Sequence, residues 1–228
     1  MTRASERGIG RLLPLLVLLF AFPATAGEPP VPARQVVDKT LAQVISILND
    51  TKASETDRRD RIASIAYERF DFDTMSKLVI ARPWRKFTKQ EREEFITEFK
   101  THLARSYGRR LSRYEGINVK VVSEVSEPRG DISVHTQVVG GQFDGAEMSY
   151  RMRSETGEWL VIDVIIEGVS LVSNFRSQFK PILAEGGAPE LLRRLKDKND
   201  VLQQEISKEE KGSSSQAASG SSARQAAR

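Results

Sequence analysis

Apolar positions recur at helical spacing through the first half of the chain and at strand spacing beyond it. Over 34–50, Val37, Leu41, Val44, Ile45 and Leu48 fall on one face of a 3.6-residue repeat, and Ile62, Ile65, Ala66 and Phe70 do the same over 56–70. A short apolar helix follows from Asp73 to Ala81 and ends before Pro83. The clearest helix comes next. Thr88 with Glu91 three residues on makes a capping box. Phe95, Phe99, Leu103, Tyr107 and Leu111 then form a stripe at i, i+4, flanked by Ile96 and Tyr114 and stopped at Gly116.

From Ile117 the period becomes two. Val119, Val121 and Val125 alternate with polar residues; after a turn at 127–131, Ile132, Val134, Thr136 and Val138 do so as well. Gly140-Gly141 marks the next turn, and Met148, Tyr150 and Met152 alternate with Ser149, Arg151 and Arg153. The run Trp159–Ile166 is almost wholly apolar, which predicts a central strand covered on both faces. The short turns predict an antiparallel meander. A closing helix carries Leu171, Val172, Phe175, Phe179, Ile182 and Leu183, and a last one, opened by Pro189, carries Leu191, Leu192 and Leu195. Helices, four antiparallel strands and helices again give an α+β class, with a concavity on the inner face of a curved sheet.

The two ends read differently. Arg3, Arg7 and Arg11 precede an apolar run, Leu12–Phe22, and Ala24-Thr25-Ala26 is an A-x-A cleavage site. This is the pattern of a secretory signal peptide spanning 1–26, with cleavage near Ala26 and export to the periplasm. From Ser207 the chain collapses to Ser, Ala, Gly, Gln, Lys and Glu, so 207–228 is expected to be a disordered low-complexity tail. The domain between them is 27–206.

Composition removes several kinds of chemistry. Among 228 residues there is no Cys, which excludes disulfides, a thiol nucleophile and thiolate metal sites. Two His far apart in sequence argue against a His-built metal centre, and no cofactor motif is present. A net charge of +4 is too small and dispersed for nucleic acid. His102 lies off the apolar stripe and is expected to face solvent; His135, on the polar phase of its strand, is expected at the surface or an edge. Asp163 interrupts the most apolar strand. A carboxylate there needs partners, either as a structural anchor, the favoured reading, or as a catalytic acid or base.

Charge is uneven. Residues 82–114 hold ten Lys/Arg against four Glu. Part of this excess complements a helix C-terminus. The segment is either a solvated face or a patch for anionic head groups or an acidic protein partner, with Lys89 and Arg92 as the residues to test. Phe95, Phe99, Tyr107, Met148, Tyr150, Met152, Phe175 and Phe179 supply the aromatic and Met content of the inner faces. Such residues are ordinarily core, although Met and Phe also suit an adaptable apolar cavity.

Several blocks in order resemble one family. They are Phe70-Asp71-Phe72-Asp73-x-Met75-Ser76, Trp84-Arg85 through Arg92 with the stripe from Phe95 to Tyr107-Gly108, and Trp159-Leu160-Val161-Ile162-Asp163-Val164. Ile166-Glu167-Gly168-Val169-Ser170-Leu171-Val172 and Asn174-Phe175-Arg176-x-Gln178-Phe179 follow. Together they resemble the MlaC-like, toluene-tolerance family over about residues 34–200. The resemblance implies an NTF2-like fold with an added helical subdomain and no catalytic role or cofactor. It implies a periplasmic phospholipid carrier with no nucleic-acid partner. Such a carrier works as a monomer between an outer-membrane lipoprotein–porin complex and an inner-membrane ABC transporter. Acyl chains are then expected against Phe95, Phe99, Tyr107, Met148, Tyr150, Met152, Val169, Leu171 and Phe175. A hopanoid-associated or other lipid-metabolism accessory, or an NTF2-like enzyme, is the alternative.

Overall fold

In the computed structural model the described residues are 31–111, 116–155 and 157–226; the leader expected over 1–26 lies outside them. Four helices come first: α1 (Ala33–Leu48), α2 (Glu55–Arg69), α3 (Phe72–Ile80) and α4 (Lys89–Leu111). A five-stranded antiparallel sheet follows, β1 (Asn118–Ser126), β2 (Ile132–Val139), β3 (Glu147–Ser154), β4 (Trp159–Ile166) and β5 (Val169–Ser170), in the order β1-β2-β3-β4-β5. The chain closes with α5 (Leu171–Ala226). The class is α+β as expected, with one strand more than the four predicted. β5 has two residues, too few for any alternation to show.

Local chemistry sets the helix ends. Ser54 accepts from the Asp57 amide and Asp71 from the Thr74 amide, capping α2 and α3. At α4 the capping box forms in both directions: the Thr88 amide donates to Glu91 at 2.8 Å, and the Glu91 amide to the Thr88 hydroxyl at 3.2 Å. α5 breaks at Gly186 and Gly187; Gly187 takes φ +65°, open to glycine and costly for other residues.

Two large apolar cores result, and a small third one, Ile47 and Leu48 with Ile62, joins α1 to α2. In one large core, Met75, Val79, Trp84, Phe95, Phe99, Phe175, Phe179 and Leu195 pack α3, α4 and both parts of α5 together. In the other, Val37 and Leu41 of α1 lie across the sheet on Val134, Met152, Val161 and Val164. Irregular register at Val121/Ser123 in β1 and at Arg151/Met152 in the β3–β4 pair bends the sheet around α1. Phe70, between α2 and α3, packs against both large cores, and its neighbour Asp71 donates its amide to the Val161 carbonyl at 3.0 Å.

The end of the chain departs from the expected tail at 207. α5 stays helical to Ala226. Ile206 is buried, and Glu210 accepts from Arg59 at 3.0 Å and from Thr56 at 3.1 Å. Tertiary contacts to α2 thus extend past the point where apolar residues run out. Composition registers burial, whereas these contacts are polar.

Candidate functional site

The last hairpin and the start of α5 form one hydrogen-bonded unit. Glu167 and Gly168 both take positive φ (49° and 77°), as a two-residue hairpin turn between β4 and β5 requires. Glu167 also accepts from the Glu147 amide at 2.5 Å, locking the turn to β3. Ser170 then accepts from the Ser173 amide at 3.0 Å and donates to Asp163 at 2.5 Å, while the Val172 amide donates to the other Asp163 oxygen at 3.1 Å. The carboxylate in the apolar strand thus satisfies the first turn of α5, a structural anchor in geometry. Asp163→Asn is expected to lower folding stability by about 1–2 kcal/mol in urea unfolding; an unchanged midpoint would show that the carboxylate anchors nothing.

The nine expected lipid-binding residues divide between the two large cores. Phe95, Phe99 and Phe175 are buried in the helical core, ring to ring at 5.2–5.5 Å along Phe95–Phe99–Phe175, and Tyr107 packs against that core half-buried. Met148, Tyr150, Met152 and Leu171 belong instead to the sheet core beneath α1. Val169 joins neither and is 59% exposed. Strand and helix periodicity shows that each residue faces inward but not that there is more than one interior.

The sheet core differs in texture from the helical one. Met148 and Tyr150 on β3, Val119 and Val121 on β1, and Trp159 and Ile166 on β4 retain accessible surface while packing against it. Burial nonetheless pushes the Tyr150 phenol up to about 12. At one end of α1 this region meets a cleft of about 290 Å³, whose walls include Val31, Val36, Lys39, Arg69, Glu158 and Trp159. A second cleft, about 360 Å³, lies between α4 and α5 against His102, Ser106, Val201 and Leu202.

Several polar side chains sit differently from expectation or were not foreseen at all. His102 is half-buried, not solvent-facing. Its Nδ1 lies 3.0 Å from the Asn199 Oδ1, its ring meets Phe175 edge-on at 5.7 Å, and burial lowers its pKa. The cause is that α5 covers a second face of α4, which a single stripe does not reveal. Asn199 is buried and donates to the Glu98 carbonyl at 3.0 Å and carboxylate at 2.8 Å. Arg92 is tied down: it donates to the Trp84 carbonyl at 3.1 and 3.3 Å and lies over the Trp84 ring. Lys89 is exposed, 3.7 Å from Glu93. His135 is half-buried, its Nδ1 2.7 Å from the Ser149 hydroxyl. On the same sheet, Asp131 is fully buried between Arg151 and Arg153, with contacts of 2.7–3.1 Å.

Among the described residues no group of His, Asp or Glu is arranged to hold a metal, and no helix is long and apolar enough to cross a membrane. Helices folded over one face of a bent antiparallel sheet, with half-buried apolar side chains between α1 and the sheet, make a small α+β protein with an open cleft at one end of α1. The profile of the MlaC protein family matches residues 38–197, and the chain belongs to that family. A curated relative, toluene tolerance protein ttg2D of Pseudomonas putida, is 28% identical over 181 residues, covering 76% of this chain and 82% of the relative. Among solved structures, the phospholipid-binding protein from Ralstonia solanacearum, in complex with a phospholipid, superposes with a TM-score of 0.69 at 20% identity, covering 76% of this chain and 99% of that one.

Proposed function

We propose that this chain is a soluble periplasmic phospholipid carrier without catalytic activity, moving lipid between outer-membrane and inner-membrane complexes and so maintaining outer-membrane lipid asymmetry. The observation that carries this reading is the half-buried apolar face of the sheet beneath α1, in a chain of the MlaC family. The phospholipid held by the Ralstonia solanacearum neighbour supports it. Each methylene left in water costs about 0.8 kcal/mol, so a carrier has to bury most of both acyl chains. The described clefts are of head-group size, near the lower end of the about 300–1,000 Å³ of small-molecule sites. Acyl chains therefore enter by parting α1 from the half-packed sheet face, the weaker of the two large cores.

Protein purified without detergent is expected to carry diacyl phospholipid in native mass spectrometry and to accept it from vesicles. Protein free of lipid that also takes none up would sink the reading. For the partner complexes, the basic segment 82–92 is the docking surface, through Arg82, Arg85, Lys86 and Lys89, which are all exposed. Arg92 is better left intact, since its loss would disturb Trp84. Association should slow as salt rises from about 50 to 200 mM and on charge reversal at Arg85 with Lys89. Salt-independent association would make this a solvated face only.

A further inference from the structure

We infer that Arg69 and Lys39 form the phosphate site for the lipid head group, at the cleft beside the N-terminal half of α1. This rests on the carrier reading and assigns residues to the polar end of the ligand.

Arg69 stands apart among the half-buried arginines of the described residues. The other half-buried arginines among the described residues each make at least one bond to the protein: Arg58 to the Asp50 and Ala53 carbonyls, although its Nε is left without a partner, Arg92 to Trp84, Arg105 to Asn199, and Arg151 and Arg153 to Asp131. Arg59 and Arg194 have Glu210 and Glu190. Arg69 is half-buried too, yet among the described residues it has neither a hydrogen-bond acceptor nor a carboxylate partner. Its nitrogens are not sealed from water, so they are open to an incoming acceptor, and a planar guanidinium matches a phosphate in bidentate fashion. Lys39, on another wall of the same cleft, adds a second cation that is likewise unpaired among the described residues.

The rest of the cleft has the polarity of an amphiphile. Val36 and Trp159 line it and at the same time pack against the sheet core. One apolar wall therefore runs from the cations toward the sheet face proposed for the acyl chains. Glu158 stands on the same rim. Its negative charge disfavours a doubly charged anion, so a singly charged phosphodiester fits the site better than free phosphate.

The test uses vesicles of phosphatidylethanolamine and phosphatidylglycerol doped with diacylglycerol of matched chains, which lacks the phosphate. Wild-type protein should take up the phospholipids in preference to diacylglycerol. In the Arg69→Gln, Lys39→Gln double variant that preference should fall about tenfold, the equivalent of one charge-assisted hydrogen bond. Each single variant should show part of the fall, which keeps the measurement available if the double variant folds poorly. Excess inorganic phosphate should leave wild-type uptake unchanged. An undiminished preference in the folded variants would overturn this assignment while leaving the carrier reading standing. Competition by inorganic phosphate would identify a free-anion site and overturn it as well. Uptake of neither lipid by the wild type would overturn both.

Discussion

Replacing Phe99 by alanine is expected to remove about 3–5 kcal/mol of folding stability. The side chain is fully buried, stacks on Phe95 at 5.5 Å and meets Phe175 and Phe179 edge-on at 5.2 and 6.3 Å. Its removal takes away transfer free energy and leaves a void that three rings, held on two helices, cannot close. Urea unfolding measures the loss. The magnitude separates two roles, because the same residue stands among those expected to line the lipid site. A filled core loses several kcal/mol, whereas a wall of a yielding ligand cavity loses little. A loss below about 1 kcal/mol would move the acyl chains into the helical core and away from the sheet.

Asp131→Asn is expected to cost about 3 kcal/mol, the lower end for a broken buried pair, since both arginines keep some exposure to water. The hydrogen bond from Arg153, aided by its charge and by Arg151, holds the Asp131 carboxyl below the usual aspartate value of 3.8. A carboxyl with a depressed folded-state pKa stabilises the protein fully above its unfolded pKa. It loses that contribution as pH falls through the folded one. The gap in thermal stability between wild type and variant should therefore be constant near neutral pH and close only below about pH 3.8. A gap that closed between about pH 5 and 7 would assign the effect to another group.

Much of the fold follows from local rules. The apolar repeats locate the first four helices, and the Thr88–Glu91 pair locates the start of α4. What escapes them depends on separations along the chain that no local rule spans. Arg151 and Arg153 share a face because they are two residues apart in a strand. Their partner, however, comes from the preceding turn, and only the register of β2 on β3 brings it there. The apolar stripe misplaces His102 because it marks one buried face of α4, and α5 buries another. Lys39 and Arg69 lie on separate helices and become neighbours only when α1 and α2 fold against the last turn before β4. Asp163, in contrast, stands out in the sequence because an ionisable group in an apolar strand contradicts its surroundings.

Phe70 couples the two large cores. One side chain is shared by the helical core and the sheet core, and the backbone beside it is stitched to β4. Neither core can come apart without unpacking one side of that ring and exposing an apolar edge on the other. Helices that precede the sheet in sequence thus need the later strands to complete their packing. The two large cores are therefore expected to unfold together, and a fragment ending at α4 would lack the surface on which its own aromatic residue has to close.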